Sequence, residues 1–373
     1  MRGHVRKRGR TYSIVLDVGS DPATGKRRQQ WRSGFRTKKE AEAELARLIH
    51  NVERGSDPFP SNLTVSEFID RWLEHERARL RPTTHHRYTQ LLQDFILPVI
   101  GGTRLDRLRP AHIQKAMDSM TDRGQSPASV VQARAALGSA MTTAVAWGLL
   151  AVNPVRSVKP PRIARAQLVV PTVAQLRSLI EVAQGSVWEV PILLAATTAM
   201  RRSEVLALRW CDVDLEVGRV RVTRSLQRMV DGSIRIFDPK TPRARREIAV
   251  PAFTLPVLQR RRRVQQDARR LAGMTSDEFD LVCDRGDGQP IDPSTFTHAF
   301  KRLAKEAGIP SEVRLHDARH GVATVMLEHN VHPAIASAVL GHASESFTMS
   351  TYQHVTPRMT ETAAEVLDVV LRG

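Results

Sequence analysis

A tyrosine, a lysine, and paired arginines and histidines in the second half of the chain are of the types that act on a phosphodiester. Tyr352 lies in STYQHV, Lys240 in PKTPRARR, and two further runs read RRSE at 201–204 and HDARH at 316–320. A tyrosine hydroxyl attacks phosphorus as its anion. Ionising it at pH 7 costs about 4 kcal/mol, which clustered cations or a general base must offset. Guanidinium groups bind the non-bridging oxygens of a phosphate in bidentate fashion, so these residue types fit strand cleavage.

Each element has a simpler interpretation when it is taken alone. Arg201 and Glu204 are three positions apart on a helix, which is typical of a surface ion pair worth about 0.2–0.5 kcal/mol. Lys240 lies in a basic segment typical of a solvated loop, and Tyr352 fits a half-buried aromatic. The order and spacing of all the elements together favour one joint site.

The HDARH run also imitates a zinc signature. His316 and His320 are four apart, as in HExxH, with Asp317 in place of glutamate. The shorter acid and the lack of a third ligand at the usual spacing make a metalloprotease a weak alternative. His316 and Arg319 share a helical face, so both side chains could reach one phosphate.

Composition indicates the kind of partner. The chain has 56 Lys plus Arg against 39 Asp plus Glu, a formal net charge of +17 and a pI near 10.9. The excess is present in the N-terminal, middle and C-terminal segments, so each is expected to touch the same long polyanion. A basic surface that only confers solubility is the alternative.

Cysteine usage and hydropathy indicate the compartment. Cys211 and Cys283 form neither a disulfide framework nor a zinc spacing, which is typical of a reducing cytosol. The basic N-terminus is not followed by an apolar segment, and no run is long enough to cross a bilayer. We expect a cytoplasmic protein without membrane association.

The N-terminal residues predict a small β-sheet-plus-helix module at 1–55. Alternating residues predict strands at 11–18 and 27–35, joined by a turn at 21–26, and residues 37–55 have the pattern of an amphipathic helix.

The middle of the chain is divided by proline and glycine. A linker is predicted near 55–62, followed by an all-α domain of four or five helices at 62–153. Residues 154–168 contain prolines and basic residues, which predict an inter-domain linker along a phosphate backbone. The remainder, 169–373, is a separate domain.

That last domain mixes helix and strand patterns. Three antiparallel strands are predicted in GRVRVTRS, SIRIFD and RREIAV, with a tight turn at Asp231–Gly232, and Lys240 falls between the second and third. The remaining segments predict helices, including PILLAATTAMRRSEVLALRW and a terminal TETAAEVLDVVL. The sequence therefore predicts a multidomain protein whose C-terminal domain is mixed α+β, mainly α with a three-stranded antiparallel sheet.

The motifs resemble those of the tyrosine recombinases, or phage-type integrases, over essentially the whole chain. The matching segments are TTAMRRSEVLALRW, PKTPRARREIAV, LHDARHGVATVML, VLGHAS and STYQHV, which carry Arg201, Lys240, His316, Arg319, His342 and Tyr352. One departure is Ala199, where the family usually has glycine, and it concerns the local backbone turn.

The resemblance implies covalent catalysis without a metal or other cofactor. Tyr352 would attack the scissile phosphate to give a 3′-phosphotyrosine and a free 5′-hydroxyl, so the phosphodiester energy is retained. His316 would act in proton transfer with the tyrosine, and Lys240 would protonate the leaving 5′-oxygen.

The resemblance also implies which residues hold the phosphate. Arg201 and Arg319 would bind the non-bridging oxygens, and His342 would donate a further hydrogen bond. Glu204 and Asp317 are expected to orient these groups.

The implied partners follow from the same resemblance. They are double-stranded DNA attachment sites, a homotetramer assembled on that DNA, and, for an integrase with an arm-type N-terminal module, a host DNA-bending protein and an excision factor. A phage or mobile-element integrase, associated with the nucleoid of a bacterial host, is therefore expected. The C-terminal helix would dock on a neighbouring protomer.

Two other classes remain open from the sequence. A type IB topoisomerase uses a similar residue set to nick and reseal one duplex. A non-catalytic DNA-binding regulator would share the charge and the modules, although it would not need the complete catalytic set.

Overall fold

The computed structural model describes residues 3–20, 27–53, 62–163, 169–239, 245–273 and 279–341. The chain divides into two compact units, Met1–Arg165 and Ala166–Gly373. Helices dominate the described residues, with small antiparallel sheets. Within these ranges no helix combines the length and apolar character that crossing a bilayer requires.

The N-terminal module is a three-stranded antiparallel sheet with one helix. Its elements are β1 (Gly3–Arg8), β2 (Thr11–Ser20), β3 (Arg27–Phe35) and α1 (Lys38–Glu53), and the sheet order is β1-β2-β3. Ile14, Ala41 and Leu48 form its buried core between sheet and helix. The sequence patterns missed β1, because GHVRKR has too few apolar residues to show alternation. The turn predicted at 21–26 lies outside the described residues.

The helical part of the first unit contains the helices that the sequence predicted. They are α2 (Val65–Glu76), α3 (Pro82–Leu91), α4 (Leu97–Ile100), α5 (Pro110–Asp122) and α6 (Pro127–Ala146). A π-helical turn, Leu92–Ile96, joins α3 to α4. Pro98 has no N–H to offer the carbonyl of Asp94, and Arg123 donates to that carbonyl at 2.9 Å instead. Phe68 and Trp72 lie in the core.

The first residues of the segment predicted as a linker at 154–168 are packed in the helical core. Pro154–Ser157 forms one 3₁₀ turn, and Val155 and Val158 are buried in the helical core. The carbonyls of these two valines accept from Arg134, at 3.2 and 2.7 Å. The linker prediction was wrong for these residues, because Val155 and Val158 are both buried in the core. Arg134 satisfies the backbone carbonyls of both valines. Residues 164–168 lie outside the described ranges.

The second unit is built around a buried helix. Its helices are α7 (Val173–Ala183), α8 (Glu189–Thr197), α9 (Arg202–Val205), α10 (Leu255–Leu271), α11 (Pro293–Glu306), α12 (Leu315–Glu328) and α13 (Pro333–Leu340). Every residue of α8 from Val190 to Ala196 is buried, and α7, α10 and α12 pack against it. A helix that is apolar on all sides belongs at the centre of a domain.

The strands of this unit form two sheets, where the sequence predicted one. β4 (Val213–Asp214), β5 (Arg219–Val222) and β8 (Arg246–Ala249) make a three-stranded antiparallel sheet, and β6 (Ser225–Arg228) and β7 (Ile234–Phe237) make a separate hairpin. The predicted GRVRVTRS strand is broken near Thr223, whose hydroxyl donates to Asp212 at 3.0 Å.

The hairpin turn itself is as predicted. Gly232 has φ +80°, and the Asp231 carboxylate accepts from the Ser233 amide at 2.9 Å. Lys240 lies between β7 and β8, outside the described residues.

Candidate active site

Arg201 follows a sharp turn. The sequence predicted one helix through TTAMRRSEV, but α8 ends at Thr197 and α9 begins again at Arg202. Ala199, between them, has φ +52°, a conformation that glycine adopts without strain and alanine does not. This is the position where the tyrosine recombinases usually have glycine, so the departure noted in the sequence leaves the turn in place.

The Ala199 turn gives a prediction about stability. Ala199→Val should destabilise the protein by about 1–3 kcal/mol, because a β-branched residue fits poorly at positive φ and would overpack a buried site. Ala199→Gly should stay within about 1 kcal/mol, since relief of strain offsets the lost methyl. Urea unfolding measures both. Equal stability of the two variants would contradict this account of the turn.

Glu204 is buried between two arginines. The carboxylate accepts from the Arg201 amide and from Arg201 Nη1, both at 2.8 Å. It also accepts from both terminal nitrogens of Arg246, at 2.8 and 3.2 Å. Burial raises the pKa of Glu204, but the bonds and charges of Arg246 and Arg201 more than offset this and hold the pKa below its usual value. The site therefore has a fixed negative charge shared by two cations.

Arg246 is a residue that the sequence interpretation missed. Its side chain is only 6% exposed, although the RARR run looked like a solvated basic loop. A signal was available in the alternation of β8. Ile248 and Val250, two and four positions after Arg246, are buried. Because alternate side chains of a strand point to the same face, Arg246 lies on the inward face as well.

Arg319 joins α12 to the turn before Arg201. It is 2% exposed, and its guanidinium donates to the carbonyl of Ala199 at 2.5 Å and to the carbonyl of Leu340. The arginine is held in one orientation by these bonds.

The end of α13 lies against the same arginines. Gly341 caps the helix with φ +60°, and its carbonyl accepts from Arg201 Nη2 at 3.3 Å. His342 is the next residue in the chain and lies outside the described ranges.

His316 and His320 contact each other on the first two turns of α12. Their ring centroids are 5.1 Å apart and the rings are nearly perpendicular. Burial and then the charge of Arg319 lower the pKa of His316, and burial and then His316 lower the pKa of His320. The lowered pKa values favour the neutral form of both rings, the form in which a histidine accepts a proton. Within the described ranges no group of three or more His, Cys, Asp or Glu is arranged to hold a metal ion.

Asp317 has a local structural contact. Its carboxylate accepts from the Arg314 amide at 2.7 Å and so caps the start of α12. The capped helix is the one that carries His316 and Arg319.

The structure thus brings four of the predicted site residues together. Arg201 and Glu204 are bonded to each other, Arg319 is bonded to the turn that precedes them, and the charges of Arg319, Arg201 and Glu204 all act on His316. Asp317 lies on the same helix as His316 and Arg319 and caps its start. The remaining predicted residues, Lys240, His342 and Tyr352, lie outside the described residues.

Comparison with known families identifies the class of protein. Residues 172–359 match the phage integrase family, residues 64–121 match the N-terminal SAM-like domain of phage integrases, and residues 4–52 match an arm DNA-binding domain. The chain therefore belongs to the phage integrase family, and the resemblance to tyrosine recombinases is confirmed. It is a tyrosine-type site-specific DNA recombinase.

Individual relatives agree with this assignment. A tyrosine recombinase XerC-like protein of Caldanaerobacter subterraneus subsp. tengcongensis is 25% identical, and the match covers 96% of this chain and 95% of that protein. An integrase of Streptomyces ambofaciens is 26% identical over 99% of this chain and 96% of its own length.

Solved structures share the fold. The Tn1549 transposon integrase in complex with transposon right end DNA matches with a TM-score of 0.69 at 20% identity, covering 81% of this chain and 99% of that one. A lambda integrase dimer bound to a COC′ core site matches with a TM-score of 0.57 at 16% identity, covering 93% of each chain.

Proposed function

We propose that the protein integrates or excises a phage or other mobile DNA element by cutting and rejoining strands at attachment sites. The observation that carries the proposal is that Arg201 and Arg319 meet at the end of α13 and that the charges of both act on His316, within a chain of the phage integrase family. Relatives named as prophage and phage integrases support a mobile element.

The proposed chemistry is a transesterification. Tyr352 Oη attacks phosphorus, the bond from phosphorus to the 5′-oxygen breaks, and the DNA 3′-phosphate becomes esterified to the tyrosine. The tyrosine proton passes to His316, whose lowered pKa favours the neutral form, and Lys240 supplies a proton to the 5′-oxygen. A 5′-hydroxyl from another strand reverses the step. Because one ester replaces another, bond energy is conserved.

Arg201 and Arg319 have different proposed roles in binding the phosphate. Arg201 is 37% exposed and is therefore the more accessible of the two to a non-bridging oxygen. Arg319 is held by two carbonyls, so its guanidinium is oriented before DNA arrives. His342 would donate a further hydrogen bond, while Glu204 and Asp317 act as orienting groups.

The proposed organisation has three DNA-binding parts. We assign residues 1–55 to an arm-binding module, 62–153 to a core-binding domain and 169–373 to the catalytic domain. The net charge of +17 suits contact with DNA along the whole chain. Assembly as a tetramer is proposed because the lambda integrase tetramer bound to a Holliday junction shares the fold, with a TM-score of 0.56. A host DNA-bending protein and an excision factor are proposed as further partners.

A two-site assay tests recombination against the topoisomerase alternative. Supercoiled plasmids that carry two, one or no attachment sites are incubated with the protein, and the products are separated on gels. Exchange of flanking segments only when two sites are present supports the proposal. Relaxation of all three plasmids at similar rates, without exchange, would favour a type IB topoisomerase, and no reaction at verified sites would favour a non-catalytic regulator.

The arm assignment predicts a substrate-dependent loss of affinity. Removing residues 1–60 should weaken binding to a long attachment DNA that includes arm sites far more than binding to a short core duplex, because only the long DNA engages the module. Gel-shift titrations of both proteins on both DNAs at one salt concentration measure this. An equal loss on the two DNAs would refute the assignment.

A further inference from the structure

Three consecutive carbonyls at the end of α13 are bonded by three different arginines. The Val339 carbonyl accepts from Arg246 Nε at 2.6 Å, the Leu340 carbonyl accepts from Arg319, and the Gly341 carbonyl accepts from Arg201 at 3.3 Å. The last carbonyls of a helix lack partners within the helix and carry a partial negative charge. Three guanidiniums therefore cap this helix end, which leads directly into His342.

Arg246 differs from the other two members of this cap. With 6% of its side chain exposed, it is less accessible to DNA than Arg201, and it is bonded to both oxygens of Glu204. The proposed function gives it no role. Burying a cation costs free energy unless the cation is paired and hydrogen-bonded. The bonds to Glu204 and Val339 offset this cost for Arg246.

From these contacts we infer that Arg246 is a positioning residue for strand cleavage, which holds Glu204 and the end of α13 so that Arg201 is aligned on the scissile phosphate. This inference rests on the proposed function of the same site. Arg246 would act through its neighbours and would not touch the DNA.

Competition for Glu204 is the first way in which Arg246 acts. A carboxylate and a guanidinium can form two parallel hydrogen bonds. If Arg201 paired with Glu204 in this way, two of its guanidinium nitrogens would be engaged by the carboxylate. Arg246 bonds both carboxylate oxygens in that fashion, and the Arg201 guanidinium bonds Glu204 only through Nη1 at a single oxygen. Two positive charges share one negative charge, so the group keeps a net positive charge for a phosphate.

The second way is mechanical. Arg246 begins β8, six residues after Lys240, and its Nε bond to Val339 joins that strand to α13. One side chain thus connects the strand that follows the lysine segment, the helix end that precedes His342, and the carboxylate that orients Arg201.

The space around Gly341 supports this view of a close-packed contact. A Cβ at Gly341 would lie 3.1 Å from Arg246 Cδ and 3.2 Å from its Nη1, and the residue has φ +60°. A side chain there would be strained and would crowd Arg246. The guanidinium and the helix end are therefore fitted to each other without a gap.

Arg246→Lys and Arg246→Gln test the inference. Lysine keeps the charge but lacks the planar fork and the Nε donor. We expect single-turnover cleavage of a nicked attachment-site duplex to slow about 100-fold in Arg246→Lys, as for a misplacement of about 1 Å, with DNA affinity within about threefold. Arg219→Lys and Arg219→Gln are matched controls, because Arg219 lies on β5 of the same sheet in an exposed pair with Glu247, and both should cleave at the wild-type rate.

Two readouts separate positioning from a loss of folding. Urea unfolding gives the folded fraction by which each rate is corrected. NMR of ¹³C-labelled histidine, with the His342 signal assigned by His342→Gln, should show that signal shifted in Arg246→Lys while the His85 signal is unchanged. Wild-type cleavage by folded Arg246→Lys, or an unshifted His342 signal, would overturn the inference. If the wild type forms no adduct at all, the proposed function fails, and the His342 signal still decides the role of Arg246.

Discussion

Tyr352→Phe is expected to abolish formation of the covalent protein–DNA adduct, with a loss of at least about 10⁴-fold in cleavage, because phenylalanine has no oxygen to attack phosphorus. DNA affinity should remain near that of the wild type, since binding depends on the basic surface and on the phosphate contacts. Labelled attachment-site DNA incubated in EDTA and analysed on a denaturing gel measures the adduct directly.

Tyr88→Phe is the matched control for this variant. Tyr88 lies in the helical part of the first unit with its ring stacked on Trp72, and phenylalanine preserves that contact. We expect the control to form the adduct at the wild-type rate. An adduct that persists in Tyr352→Phe would remove the assignment of the nucleophile.

Glu204→Gln is expected to be the most destabilising single change in the site. It keeps the shape of the side chain but leaves Arg201 and Arg246 without their shared negative partner, and breaking a buried ion pair in this way costs about 3–5 kcal/mol. Cleavage should also fall, because Arg201 loses the contact that fixes its orientation. Urea unfolding and single-turnover cleavage measure the two effects.

The control is Glu247→Gln, which removes an exposed carboxylate paired with Arg219. Surface pairs contribute little, so this variant should unfold at nearly the wild-type urea concentration. A similar loss of stability in Glu204→Gln and Glu247→Gln would show that the burial of Glu204 between two arginines does not strengthen its contribution to stability.

The stability difference between the wild type and Glu204→Gln should depend on pH in a definite direction. Burial raises the pKa of Glu204, but the contacts with Arg246 and Arg201 outweigh it, and the folded pKa lies below the usual value of 4.5. The contribution to stability is therefore fully present above about pH 4.5 and is lost as the pH falls through the folded pKa. The gap in stability between wild type and Glu204→Gln should narrow in acid and stay constant from pH 6 to 8.

Local features of the site were predictable to the extent that they depend on short-range patterns. The helices around His316 and Arg319 and the tight turn at Asp231–Gly232 follow from periodicity and turn chemistry. The break before Arg201 did not, because TTAMRRSEV has no proline or glycine, and the positive φ of Ala199 shows only in the folded backbone.

The sheet and the packed segment after α6 were missed for a related reason. β5, β7 and β8 were recognised as strands, whereas β4 and most of β6 were not. Which strands pair depends on partners far along the chain. β8 pairs with β5 across 23 intervening residues. The packing of Val155 and Val158 likewise depends on Arg134, which no local pattern near residue 155 reveals.

By itself the sequence determined the class of this protein and the residues to test, because the identity and order of Arg201, His316, Arg319 and Tyr352 are a chemical pattern that is readable along one chain. Only the tertiary structure decided how the described part of the site is held together. The bond from Arg201 to Gly341 joins residues 140 positions apart, and that from Arg246 to Val339 joins residues 93 apart. Such contacts form when separate elements bury a common core, and local periodicity carries no information about which distant carbonyl a buried guanidinium will meet.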